Sequence, residues 1–214
     1  MPGLVKLRSR DSVELAICYA LIMAVIWTPN PAQRVLFWIT FAWILATTLL
    51  KRVDLEALGL RPSGGRCWIL TIALGFLVGG LFVFLARGFH TLHALHGAGP
   101  LVFHVIGYFL WAFEQQFILQ DYFLFRLLRI LPRERAAVIA AATLFSTAHL
   151  PGLLLTMASL LWGISCCSLF LRCRNLYALG IAHGILGLAV AISAPDALTH
   201  HMMVGLGYLR YHPH

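Results

Sequence analysis

The stretch FEQQFILQDYFLFRLL, residues 113–128, sets Glu114, Gln115, Gln116, Gln120 and Asp121 inside a run of Phe, Ile, Leu and Tyr, with Arg126 near its end. What such a mixture means depends on the medium in which the chain folds. Of the 214 residues 60% are hydrophobic and 11% are charged, with mean hydropathy +0.84. Soluble domains are nearer about half apolar and about a quarter charged. The composition therefore predicts an all-α, polytopic transmembrane helix bundle. Each span needs about 20 apolar residues. Seven segments meet this, near 12–28, 34–50, 67–86, 100–128, 136–150, 153–171 and 176–194. With no long linker or low-complexity run, residues 1–214 are expected to form a single integral membrane domain.

The net charge of +8 and pI near 9.7 would point to nucleic acid in a soluble protein. Here the charges alternate by loop. Lys6, Arg8 and Arg10, then Lys51, Arg52, Arg61 and Arg66, then Arg126, Arg129, Arg133 and Arg135, then Arg172 and Arg174 fall on one side. Arg34, Arg87 and Arg210 fall on the other. The basic residues read as topology determinants, with the N-terminus cytoplasmic and the C-terminus external. A bacterial inner membrane is the expected location, and no nucleic-acid partner is expected.

Lesser features complete the chain. WTPNPAQ (27–33) offers no small-x-small cleavage site, so the first apolar run is expected to be retained. Cys18, Cys67, Cys166, Cys167 and Cys173 are odd in number and read as packing residues. DLEALGLRPSGG (54–65) predicts a short interfacial helix ending in a Gly-rich turn. Gly75 and Gly79 have the small-xxx-small spacing that lets helices approach closely. His90, His93 and His96 are spaced i, i+3 outside the membrane and read as a solvated face, with metal binding as the alternative. His200, His201, His212 and His214 specify no ligand set.

Ionisable groups at membrane depth cost about 2.5–3.5 kcal/mol on insertion scales and normally face the protein interior. Glu114, His149 and His183 lie deep in three different predicted spans. Extrapolating one regular helix, Glu114 and Asp121 share a face and Gln116 and Gln120 share another. A carboxylate and two imidazoles can activate water and protonate a leaving amine. The same set can hold zinc or another divalent metal, or simply hydrogen-bond the helices together.

The second half resembles the CPBP intramembrane protease family, which includes type II CAAX prenyl endopeptidases and bacterial Abi proteins. That family is marked by E-E-x-x-x-R, F-x-x-x-H and H-x-x-x-N on successive helices. FSTAH supplies Phe145 and His149, a full match to the second motif. WGISCCSLFLRCRNLYALGIAHG resembles the run into the third and places its histidine on His183, while QDYFLFRLL resembles the segment after the first. The resemblance covers about residues 100–190 as a catalytic core region. It implies a membrane-embedded peptide or protein substrate, with a first-motif glutamate and two histidines activating water and the asparagine helping to stabilise the oxyanion.

The departures are specific. Anchored on the tyrosine that follows the first motif, Gln115 and Gln116 take the places of the two glutamates and Gln120 that of the arginine. Anchored on Glu114, one acid is kept and the arginine is lost. The third motif reads His183-x-x-x-Gly187, without asparagine. At about 1.5 Å per residue, Glu114 and His149 come out level, roughly 20 Å deep, and His183 nearer 12 Å. The reading is a membrane metalloprotease-like endopeptidase. Glu114, His149 and His183 are its catalytic residues, with His149 and His183 as metal-ligand candidates and Gln115, Gln116, Gln120 and Phe145 as substrate-binding residues. The alternative is a catalytically inactive relative that binds a peptide or partner protein in the same cavity.

Overall fold

The computed structural model describes residues 2–51, 54–61, 65–95 and 100–211, with side chains from residue 8 onward. His96, His212 and His214 of the sequence reading lie outside the described residues. All regular structure among the described residues is helical. The helices are α1 (Pro2–Trp27), α2 (Ala32–Leu49), α3 (Gly65–Gly88), α4 (Leu101–Phe117), α5 (Phe125–Ile130), α6 (Glu134–Thr147), α7 (Leu153–Cys173), α8 (Leu176–Ser193), α9 (Asp196–Thr199) and α10 (Gly205–Leu209). A π-helical segment, Ile118–Leu124, joins α4 to α5 so that Leu101–Ile130 is one continuous helix.

Among the described residues, five helices are long and apolar enough to cross a membrane: α2, α3, Leu101–Ile130, α7 and α8. The polytopic all-α reading therefore holds, with fewer qualifying spans than the seven expected. The two segments that differ do so for separate reasons. The first half of α1 carries Arg8, Arg10, Asp11 and Glu14. At 14 residues, α6 extends roughly 21 Å, short of a hydrocarbon core of about 30 Å.

The chain forms two compact units. The first comprises Met1–Asp54, Ile118–Ser168 and Met203–His212. In it α1 packs on α2 and α5, and the π segment packs on α6. Cys18, Leu119, Phe123, Leu124, Ala137, Ala141 and Ala142 are buried there. Gly163 of α7 permits close approach to α6, since a Cβ on it would stand 3.1 Å from the Cα of Ala142. Asp11 and Glu14 are buried and ion-paired to bases on α2's end and α5.

The second unit comprises Leu55–Phe117 and Leu169–Met202. Here α8 packs between α3 and α4, and small residues set both seams. On α3, a Cβ at Gly75 would lie 3.1 Å from Ala182, and one at Gly79 would lie 3.3 Å from Ala189 and Ile185. The spacing read from the sequence is thus a packing device. Asn175 caps α8, its Oδ1 accepting from Ala178 N at 3.0 Å.

Two expectations change in this unit. Of the segment expected as a helix, the described residues 54–61 form a turn instead. Leu60 N donates to Leu55 O at 2.9 Å and Gly59 N to Glu56 O at 2.9 Å, with Gly59 at φ +64, the hydrogen-bond pattern of a Schellman stop. The glycine is placed too early for the helix to extend. Cys67 and Cys173 form a disulfide instead of packing as thiols, while Cys18, Cys166 and Cys167 are buried outside any disulfide among the described residues.

Candidate functional site

The face that α4 turns to α8 is written in residues of opposite size. On α8, Gly180, Gly184 and Gly187 recur at i, i+4 and i+7, one side of a helix. Phe113, Phe109 and Tyr108 of α4 fill the space above them in that order. The pairing runs in opposite directions along the two helices. A Cβ at Gly180 would come within 2.9 Å of the Phe113 ring, and those at Gly184 and Gly187 would overlap the rings of Phe109 and Tyr108. The glycine at the family's asparagine position is therefore structural. Tyr108 occupies the room an asparagine side chain would need. Nothing in the sequence motifs marks Tyr108, because its role depends on which glycine it faces across the seam.

One turn further along α4 lies the polar contact of this seam. Gln116 is fully buried, and its Nε2 stands 2.8 Å from Nδ1 of His183. An amide nitrogen can only donate, so Nδ1 accepts and the ring proton resides on Nε2. The amide thus fixes one tautomer and presents an N–H, not a lone pair, at the far edge of the imidazole. Gln116 Oε1 and Gln115 Oε1 are buried without a hydrogen-bond partner among the described residues. Glu114, half-buried on the same helix, makes no hydrogen bond or ion pair among the described residues. The second unit therefore brings together Gln116 and His183, with Glu114 and Gln115 alongside in sequence.

The other predicted residues belong to the first unit. His149 follows the end of α6 and its Nδ1 lies 2.9 Å from Phe145 O. A carbonyl only accepts, so Nδ1 carries the proton and Nε2 keeps its lone pair. Phe145 also packs its ring edge-on to the imidazole, centroids 4.9 Å apart. The F-x-x-x-H pair thus works locally, the phenylalanine position orienting the histidine through both backbone and ring. Gln120, in the π segment, is 1% exposed, and neither amide atom has a hydrogen-bond partner among the described residues.

The donor set expected for a metal was two imidazoles and a carboxylate. Among the described residues no three His, Cys, Asp or Glu side chains gather closely enough to hold an ion. His183 offers a proton rather than a lone pair at Nε2. The residues present do not fit a zinc site. Of the histidine trio outside the spans, His96 lies outside the described residues. His90 adopts φ 56 and His93 is engaged with the Ala194 carbonyl at 2.9 Å.

No curated protein and no solved structure matches the chain. A family model does match: residues 97–189, from just before α4 into α8, are similar to the type II CAAX prenyl endopeptidase Rce1-like family.

Proposed function

We propose that this integral membrane protein binds a membrane-embedded peptide through the polar side chains of residues 97–189 without cutting it. The observation that carries this reading is the Gln116–His183 hydrogen bond. Where the resemblance calls for a glutamate that activates water, an amide stands, and an amide is no base. It also consumes the Nδ1 lone pair of His183. Gly187, covered by Tyr108, leaves no place for the oxyanion-stabilising asparagine. Gln115 and Gln116 instead offer buried acceptors that lack donors. Each unsatisfied buried group costs about 1–3 kcal/mol, which a ligand bearing N–H groups offsets. An unwound apolar peptide brings such groups, with Gln115 and Gln116 as its contacts.

A second reading keeps hydrolysis. In it Glu114 is the general base and His149 and His183 position water. It is favoured by His149, whose Nδ1–H is tied to Phe145 O and whose Nε2 lone pair is left for a proton or ligand. Liposomes holding the protein and a photo-crosslinkable, fluorogenic transmembrane peptide separate the two. Binding predicts crosslinks to α4 and intact peptide. Turnover by the natural protein that Glu114→Gln abolishes would establish the second reading and discard the first. Both readings go with a bacterial inner-membrane protein of seven spans, α1 and α6 counted among them, whose N-terminus is cytoplasmic.

A further inference from the structure

The first unit holds an ion cluster that neither reading uses. Asp11 and Glu14 lie three residues apart on α1, hence on one face. Their side chains are 2% and 7% exposed. Lys51, two residues past the end of α2, pairs with both, at 2.9 Å from Glu14 Oε2. Arg126 is wholly buried. It donates from Nε and Nη2 to Glu14 Oε2 at 3.1 and 3.0 Å and from Nη1 to Tyr122 O at 3.3 Å, and its guanidinium lies 3.5 Å from the centroid of the Tyr122 ring. These two bases already neutralise the two acids.

Two more arginines are added on top. Arg10 Nε donates to Glu14 Oε1 at 2.8 Å, and Arg129 Nε stands 3.0 Å from Asp11 Oδ2. Four cations thus share two carboxylates, leaving a surplus of two positive charges. The surplus is not spread evenly. Lys51 and Arg126 are enclosed, whereas the Arg10 and Arg129 side chains are 61% and 37% exposed. Arg10 is held by an Nε hydrogen bond to Glu14 and Arg129 by an ion pair with Asp11 Oδ2 that lacks hydrogen-bond geometry, and the terminal amino groups of both carry no hydrogen bond among the described residues. A guanidinium tethered in this way presents a pre-set fork, the geometry that grips two oxygens of a phosphate.

The cluster stands where two apolar spans stop. Lys51 follows α2, and Arg129 is in the last turn of the span Leu101–Ile130. That is headgroup level for a helix crossing a bilayer. Arg8, Arg133 and Arg135 are exposed in the neighbouring sequence and add positive potential.

We propose that Arg10 and Arg129 form a binding site for a phosphate-bearing anion, filled by an anionic phospholipid headgroup or by free phosphate. The test titrates purified protein in neutral detergent with phosphatidylglycerol, phosphatidylcholine or inorganic phosphate at constant ionic strength, reading thermal stability and, by native mass spectrometry, retained lipid. Phosphatidylglycerol should raise the melting temperature saturably, and phosphatidylcholine should not. Arg10→Gln with Arg129→Gln, which leaves the Lys51 and Arg126 pairs in place, should raise the half-saturating lipid by at least about tenfold. Arg133→Gln with Arg135→Gln removes equal charge and should change it far less. If the Gln pair fails to fold, Arg10→Lys with Arg129→Lys keeps charge but loses the fork, and should still weaken retention. Competition by inorganic phosphate, or stabilisation by phosphate alone, assigns the free ion; selectivity for lipid without competition assigns the headgroup. Equal shifts in both glutamine pairs, or equal stabilisation by phosphatidylcholine, would overturn the site.

Discussion

Replacing Gln116 by Glu tests whether one amide sets the chemistry of the α4–α8 seam. In the natural protein Gln116 Nε2 donates to His183 Nδ1 across 2.8 Å in a fully buried position. A carboxylate can only accept, so the ring must move its proton to Nδ1 and free Nε2. The new bond to a charged group is worth about 1.5–3 kcal/mol against about 1 for the neutral one. Removing a carboxylate from water costs several kcal/mol unless a full countercharge forms. The second term wins, so at pH 8 Gln116→Glu should lose about 2–4 kcal/mol of stability. Gln116→Leu is the control. It loses the bond but also removes the orphaned Oε1, two terms of about 1 kcal/mol with opposite sign, and should stay near the natural stability. The assay is 15N NMR of histidine-labelled protein in detergent, beside thermal melts. Natural His183 should show a bare Nδ1 and a protonated Nε2, reversed in the Glu variant. A natural protein already protonated at Nδ1, or a variant with unchanged tautomer and unchanged melting, refutes the reasoning.

Other expectations follow from contacts already described. Gly187→Asn should cost about 3 kcal/mol or more by driving a side chain into Tyr108, and Tyr108→Ala should recover part of that, with a coupling above about 1 kcal/mol in a double-mutant cycle; strictly additive losses would show that the ring is not the obstacle. His93 lies beyond the end of α3. The Ala194 carbonyl, 2.9 Å from Nε2, raises its pKa above the ordinary 6.5, with the Ala94 carbonyl and Asp196 acting the same way against the effect of burial. A raised folded-state pKa means that its stabilisation is complete below the unfolded value and is lost as pH rises through the folded one. His93→Gln should therefore flatten that part of the melting profile, and an unchanged slope contradicts the assignment. Reporters fused after residue 132 and at residue 214 should report cytoplasmic and external sides; the same side for both removes a span, with α6 the first suspect.

What could be read from the sequence was whatever depends on neighbours in the chain. Apolar runs of span length gave α2, α3, α7 and α8, the four-residue step from Gly75 to Gly79 marked the α3–α8 seam, and FSTAH carried a histidine whose partner, Phe145, is one helical turn away. What escaped depends on partners far off in sequence. Gln116 meets His183 only because α4 and α8 pair, and of the two ways to place the first motif, anchoring on the tyrosine puts this amide where the resemblance has an acid. Asp11 and Glu14, at the start of the first predicted span, find their countercharges Lys51 and Arg126 only in the fold. Cys67 and Cys173 are 106 residues apart. The face-sharing assigned to Glu114 with Asp121, and to Gln116 with Gln120, assumed one unbroken α-helical period, and the π segment at 118–124 breaks it.

That segment has a consequence for how the helix can change. A π turn is an α-helix with one residue too many, held in place by wider loops of backbone hydrogen bonding. It begins at Ile118, where the chain also passes from one compact unit to the other. Loss of one residue anywhere in 118–124 would let the segment relax to regular α-helix. The helix after the deletion would then turn by about 100° about its own axis relative to the start of the segment. Within the first unit, Arg126 would swing off Glu14 while Leu119 kept its buried place, or the reverse. Substitutions in this stretch can be absorbed one at a time, but its length is pinned, and a one-residue deletion should be far more damaging than any single replacement within it.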